Sequence, residues 1–347
     1  MAKTSFATGN ALTRKVWEEK LFRDAAKESF WEPIMGTGPE SCIQVKTQLE
    51  KSKGDKINFG LRTRLSGSGV TGSTELQGNE QSLTTYDFSV SLELYREAVR
   101  DDGALTRQRA MFDVSDEARM ALKDWMTEKR DALVFDALGL SAASAITPSK
   151  VFYRNTSGVV SAASAATAKA GLHATNSLLN PDLINALKTW ARTGGGRTYI
   201  PLRPIQIGGG ESAYILVVHP DCLYDLESDS TFVAAQREAA ERGKTNPLFV
   251  GAKAYWRGVI IRAHENCAIA TDGGGASVAW AKCAFLGAQA GAWAWGERPF
   301  MVEEEFDYKN QKGFAMNMIC GVSKTVFNSL DYGSLGVYLS RTNVSGL

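Results

Sequence analysis

The spacing of apolar and polar positions changes period several times along this chain. Residues 1–35 carry helical spacing, with Val16, Leu21, Phe22, Ala25 and Ala26 recurring among charges. They run into Trp31-Glu32-Pro33 and the breaker Gly36-Thr37-Gly38-Pro39. With so few apolar residues of its own, this segment reads as an arm that packs on something else. From Ile43 to Leu94 the period is two. Ile43 and Val45 alternate with Gln44 and Lys46, and Ile57, Phe59 and Leu61 with Asn58 and Gly60. Past a glycine-rich stretch, Tyr86, Phe88, Val90, Leu92 and Leu94 alternate with Asp87, Ser89, Ser91 and Glu93. The pattern predicts one long β-hairpin with a flexible tip at 66–74.

The strongest helical run follows. Val114, Ala118, Ala121, Leu122, Trp125, Ala132 and Leu133 share a face, with Asp113 or Ser115 as cap. Asp116 and Glu117 sit in its first turn and Gly139 supplies a stop. A helix over 115–138 would be about 36 Å long at 1.5 Å per residue. That length suits a spine rather than one wall of a bundle. Residues 141–171, rich in Ala, Ser and Thr, read as a connector containing the strand-like Val151-Phe152-Tyr153. Asn180-Pro181 then opens a helix with Leu183, Leu187 and Trp190 in register, expected to end before Gly194-Gly195-Gly196. The rest predicts a strand over 214–218 and short helices over 219–226 and 231–242, the second capped by Ser230. Strands follow near 258–263, 276–286, 300–308 and 313–322, the last two joined by a turn at 309–312. The fold class is α+β.

Composition narrows the function. The 347 residues hold 39 Lys and Arg against 38 Asp and Glu, a formal charge of +1. That balance argues against a protein held to nucleic acid or an anionic membrane by bulk charge. The longest apolar stretch, Ala213 to Val218, is far short of the roughly 20 residues that span a bilayer. Met1 to Arg14 lacks the apolar core of a secretory signal, so no membrane partner is expected. Cys42, Cys222, Cys267, Cys283 and Cys320 form an odd, widely spaced set without a CxxC pair, which points to reduced thiols.

Catalytic motifs are nearly matched and fail on context. Gly67-Ser68-Gly69-Val70-Thr71-Gly72 fits GxGxxG, but no buried strand precedes it and no helix follows. Gly243-Lys244-Thr245 resembles the end of a P-loop, yet Glu238 stands where its first glycine belongs. His264-Glu265 opens like a zinc-protease helix, but Ala268 occupies the second histidine position. The three histidines, His173, His219 and His264, fall in separate segments, and no GxSxG elbow is present. No cofactor, no metal and no enzymatic activity are expected.

Charge is segregated along the hairpin. Residues 46–64 carry six basic side chains (Lys46, Lys51, Lys53, Lys56, Arg62, Arg64) against two acidic ones, a local balance of +4. Residues 65–95 carry Glu75, Glu80, Asp87 and Glu93 and no basic residue. Opposite charges facing across the arms would add only a few tenths of a kcal/mol each, whereas a partner matched to the pattern would be oriented by it. Lys51, Lys53, Lys56, Arg62, Arg64, Glu75 and Glu80 are therefore the candidate interface residues. An arm, a hairpin and a spine projecting from one mixed domain suit a closed shell, in which many modest contacts add up.

The order of Trp17, Phe22, Glu28-Ser29-Phe30-Trp31 and Gly54-Asp55-Lys56-Ile57 resembles the major capsid proteins of tailed bacteriophages, in the coliphage gp56-like branch. So do Thr71-Gly72 before Glu75-Leu76-Gln77-Gly78-Asn79-Glu80, then Val218-His219-Pro220 and Asn246-Pro247-Leu248-Phe249. The resemblance covers about residues 15–337 and lies in order and spacing rather than in one motif. It implies the Hong Kong 97 capsid fold, with an N-terminal arm at 1–42 and an extended hairpin, the E-loop, at 43–95. A peripheral domain with the spine helix would take 96–179, a mixed α/β axial domain 180–325, and a C-terminal return to the peripheral domain 326–347. It also implies hexamers and pentamers of an icosahedral shell in the virion, assembled in the host cytoplasm around double-stranded DNA held by non-specific proximity. A portal is expected as partner, with any scaffold or decoration protein on a separate chain. Two other readings stand beside it: an encapsulating nanocompartment shell, and a β-rich carbohydrate-binding protein using Trp293, Trp295, Tyr255 or Trp256.

Overall fold

The computed structural model describes residues 29–47, 54–62, 65, 67, 69–73, 75–110, 113–158, 160–162, 164–197, 200–207, 211–240, 254–274 and 277–342. The arm through residue 28, the 241–253 segment with the P-loop-like triplet, and the Asn246-Pro247-Leu248-Phe249 motif lie outside them. The chain divides into two compact units. The larger spans Ser29–Tyr95, Glu128–Pro299 and Met318–Leu347; the smaller includes Arg96–Thr127 and Phe300–Asn317.

A nine-stranded mixed sheet forms the core of the larger unit. Its order is Ala254–Trp256, Val259–Ala263, Glu211–Val218, Val278–Leu286, Ser334–Ser340, Val151–Arg154 and Val160–Ala162. Ile269–Gly273 pairs with the first half of Val278–Leu286, and Ile205–Ile207 with Glu211–Val218. Alternate residues of the central strands face one side: Tyr214, Leu216 and Val218; Cys283 and Phe285; Leu335, Val337 and Leu339. Against them pack Leu183, Ile184, Leu187 and Ala191 of the helix Pro181–Arg197, and Cys222, Leu223 and Leu226 of the helix Pro220–Glu227. Burying each large aliphatic side chain contributes about 1.5–3 kcal/mol. On the opposite side Trp280 and Tyr338 pack with Tyr153, Ala168 and Leu172.

Caps explain where the helices start. The Leu183 amide donates to Asn180 Oδ1 at 2.8 Å, as the Asn-Pro signal predicts. The helix continues to Arg197 rather than stopping before Gly194, but Gly194 has φ +62°, so the regular right-handed course breaks there. The helix Ser230–Ala240 begins one residue earlier than expected. Its cap is Asp229, whose Oδ1 accepts from the Thr231 and Phe232 amides, not Ser230.

The spine helix runs from Val114 to Ala137. Asp113 caps it by accepting the Ser115 amide at 2.8 Å, a bond that holds its carboxyl below the usual range. At the other end the Leu140 amide reaches the Phe135 carbonyl and the Gly139 amide the Asp136 carbonyl. Gly139 has φ +73°, and a Cβ there would stand 2.6 Å from the Ile146 carbonyl oxygen, so only glycine closes this C-cap. The buried stripe differs from the expected one. Ala118, Leu122, Met126, Val134 and Phe135 are buried, whereas Ala121 is exposed and Trp125 only partly covered.

A five-stranded sheet follows the order Met35–Gly36, Ile43–Lys46, Gly291–Phe306, Gln311–Lys324, Glu93–Arg100. The two long strands are longer than predicted and are shared between the units. Within the smaller unit, Ala118 and Leu122 pack on Phe314, and Arg119 donates two bonds to Glu303 Oε1 at 3.0 and 2.7 Å. The Lys312 amide donates to Asp101 Oδ1 at 2.7 Å. Asp307, Tyr308 and Lys309 turn the ribbon with left-handed φ values of 49°, 50° and 71°. No helix among the described residues is long and apolar enough to cross a membrane.

Candidate assembly surface

Among the described residues of 43–95, the hairpin pairs over two seven-residue strands. Lys56–Arg62 and Thr85–Ser91 pair antiparallel and form a sheet of their own, while Ile43–Lys46 runs parallel to Gly291–Ala294 in the five-stranded sheet. Register places Ile57 opposite Val90, Phe59 opposite Phe88 and Leu61 opposite Tyr86. One face is therefore an apolar ladder, with the two phenyl rings 5.6 Å apart. Such cross-strand pairs contribute roughly 0.2–1 kcal/mol each.

The ladder's base rests on its own chain. Ile57 and Val90 are buried with Ala292 and Ala294, and Phe88 meets the edge of Phe327 at 6.0 Å. At the base the Leu92 amide bonds the Asp55 carbonyl at 2.9 Å. Gly321 sits where any Cβ would collide with the Ser91 carbonyl, so the strand Gln311–Lys324 admits the hairpin only because that position has no side chain. Beside this seat a cleft of about 310 Å³ is lined by Lys46, Phe59, Leu61, Phe88 and Phe327 among others.

The polar face of the hairpin is exposed, and the charges on its paired residues do not face one another. Lys56 faces Ser91 and Arg62 faces Thr85, while Asp87 faces Gly60. The segregation of charge along the sequence thus does not become pairing between the arms. Glu75 and Glu80 are exposed near the tip: the Glu75 carbonyl accepts from the Asn79 side chain at 2.9 Å and Glu80 from the Gly78 amide at 2.7 Å. Lys56, Arg62, Glu75 and Glu80 form no ion pair with another described residue. Lys51, Lys53 and Arg64 lie outside the described residues. Leu65, Leu76 and Leu83 remain 63%, 63% and 56% exposed, an apolar set that the alternation analysis did not single out.

The other chemically suggestive residues serve structure. All three histidines cap turns through Nδ1, which accepts the Asp221 amide at His219, the Thr175 and Asn176 amides at His173, and the Asn266 amide at His264. Trp293 is fully buried and Trp295 partly so, with the Arg130 guanidinium 6.0 and 5.6 Å from their ring centres. Trp256 donates to Asn185 at 3.1 Å. The five cysteines are buried free thiols, and burial pushes those of Cys42 and Cys320 up to about 12. Among the described residues no His, Cys, Asp and Glu group is arranged to hold a metal.

Two buried ionic features escaped the sequence analysis. Lys324 Nζ lies 2.7 Å from Asp331 Oδ1 and donates to the Thr147 carbonyl at 2.7 Å, and Lys150 donates to the Ile200 carbonyl at 3.0 Å. Asp131 on the spine helix binds the chain at Ser29 and Phe30. The only signal for Asp131 was its place one turn from Phe135 on the apolar stripe, where a carboxylate has no business unless it is bonded.

The hairpin is thus seated on its own chain along one face of its base, and its polar face is exposed. The phage capsid protein family matches residues 5–338, and the chain belongs to that family. It is 29% identical to the major capsid protein of Pseudomonas phage KPP25, over 97% of each chain. Its fold is similar to the capsid protein of cyanophage Pam1, with a TM-score of 0.84 and 25% identity over 99% of this chain and 100% of that one. For the capsid of Ralstonia phage GP4 the TM-score is 0.78 at 26% identity, with 99% of each chain covered. The fold is the Hong Kong 97 type, and the chain is a major capsid protein of a tailed bacteriophage, a structural component of the virion built from many copies.

Proposed function

We propose that copies of this chain assemble through their hairpins into the hexamers and pentamers of an icosahedral shell around double-stranded DNA. The observation that carries the reading is the hairpin itself. One face of its base is seated on its own chain, while its polar face and the leucines near its tip are exposed. A hairpin of two strands is marginal in water without further cover. A neighbouring copy supplies it, and Lys51, Lys53, Lys56, Arg62, Arg64, Glu75 and Glu80 set its register. The covered nine-stranded sheet supports an axial role for most of 180–325. The packing of 96–127 with 300–317 supports drawing the peripheral part from both segments. A portal, a separate scaffold or decoration protein, assembly in the host cytoplasm and membership of the gp56-like branch belong to the same reading. The near-neutral net charge suits a wall that meets DNA without binding it tightly.

The test is charge reversal at Arg62 and Arg64 together, with shells counted by negative-stain microscopy. We expect at least a tenfold loss of shells with unchanged circular dichroism; an unchanged yield overturns the register role. Nucleic-acid content of parent shells separates a DNA-filled capsid from a nanocompartment.

A further inference from the structure

We infer that Asp131 is a positioning residue for assembly, clasping the chain at Ser29–Phe30 and so fixing the direction of the backbone at the point where residue 28 joins it. The inference rests on the shell reading above and adds a residue that neither the motifs nor the hairpin point to.

The geometry is specific to direction. One carboxylate takes two donors from adjacent residues: Ser29 Oγ to Oδ1 at 2.9 Å and the Phe30 amide to Oδ2 at 2.6 Å. Ser29 Oγ also accepts the Glu32 amide at 3.4 Å, closing the turn that follows. A single bond would hold the chain at a point. A side-chain bond and a main-chain bond one residue apart also fix its heading.

Packing seals the clasp. Phe30 is 8% exposed and Trp31 is fully buried. Their rings meet Phe135 at 5.5 and 5.0 Å, and Phe30 meets His264 at 4.8 Å. The Arg262 guanidinium lies 4.7 Å from the Phe30 ring and feels the Asp131 charge. Downstream, Met35 and Gly36 pair with Ile43 and Gln44, so the chain beyond the clasp is held by a sheet. Aromatic packing alone would bury Phe30 without the cost of desolvating a carboxylate. What Asp131 adds is orientation. Upstream lie the arm residues whose apolar spacing calls for another surface.

Two measurements on the full-length chain test this. The first needs no assembly. Trypsin cleavage after Lys27 requires residues 28–30 to enter the protease, so Asp131→Asn should raise it at least tenfold relative to cleavage after Lys3 in unassembled subunits. An unchanged ratio overturns the clasp. The second is a cycle of parent, Asp131→Asn, the arm variant Leu21→Glu with Phe22→Glu, and all three changes, scored by shell yield and by urea unfolding of the subunit. We expect Asp131→Asn to lower shell yield at least tenfold with unfolding still cooperative, and no further loss when it is added to the arm variant. Normal yield in Asp131→Asn, additive losses, or a yield that falls only in step with subunit stability would each overturn the inference. Shells absent from the parent would instead sink the shell reading, leaving the protease ratio to judge the clasp.

Discussion

Two strands of seven residues show how differently this chain treats its surfaces. Ser334–Ser340, sequence SLGVYLS, is buried at every position; Thr85–Ser91, sequence TYDFSVS, is buried only at Val90. Hydrophobic content does not separate them by much. Pairing does. The first lies between Val278–Leu286 and Val151–Arg154 with both faces covered, so every contact it makes is to its own chain. The second has one partner strand, and four of its seven positions are exposed. The covered sheet makes the subunit; the proposed assembly role falls to the hairpin.

The largest expected effect lies in the sheet. Phe285 is fully buried and stacks on Tyr214 with ring centres 5.0 Å apart. Phe285→Ala should cost about 3–5 kcal/mol of subunit stability by urea unfolding, through lost transfer energy and the cavity left behind. A loss under about 1 kcal/mol would mean that the sheet is not the stabilising core, and the comparison would fail at its stronger end.

The same contrast explains what was legible in the sequence. Spacing gave the hairpin ladder, the spine helix and its Gly139 stop, because period and caps are local and one-sided burial leaves a clean alternation. Fully covered strands carry no such alternation. The long strands Gly291–Phe306 and Gln311–Lys324 exceed what their spacing predicts for a different reason. Each belongs to two units, so its burial pattern changes along its length. Charge was legible as composition but not as pairing. Lys56 and Arg62 face Ser91 and Thr85 because register is set by the whole ladder, which no local count reveals. The clasp at Asp131 joins residues about a hundred positions apart, and a lone Asp on a helix looks like any solvated charge until the tertiary fold brings Ser29 to it.

An intermediate effect comes from Lys150, a fully buried amine just before the inner strand Val151–Arg154. Burial drops it to about 8 from 10.5, the Asp331 charge opposing the fall. Between those values the unfolded chain binds the proton that the folded chain has released, so stability rises with pH across that window. Below pH 8 both states are charged and the burial cost is fully present; above 10.5 it is gone. The parent should gain up to about 3 kcal/mol from pH 8 to 10.5 relative to Lys150→Met, read as the difference between two denaturation series under reducing conditions. Parallel series would show that Lys150 is not a desolvated cation.

The smallest effect on folding belongs to the hairpin, and there the comparison is sharpest. Phe59 is only partly covered, and its ring neighbour is Phe88 at 5.6 Å on a strand that is itself mostly exposed. Phe59→Ala should lower subunit stability by no more than about 1–1.5 kcal/mol, since little apolar area leaves water and the site can collapse. Yet it removes the middle rung between the base seated on Ala292 and Ala294 and the strand end that carries Arg62. Register at Arg62 then loses its support, and shell yield should fall more than tenfold while unfolding barely moves. A substitution that left both nearly unchanged would make the ladder ornamental. One that cost as much stability as Phe285→Ala would make the hairpin part of the core, and with it the division between a surface that folds and a surface that joins would disappear.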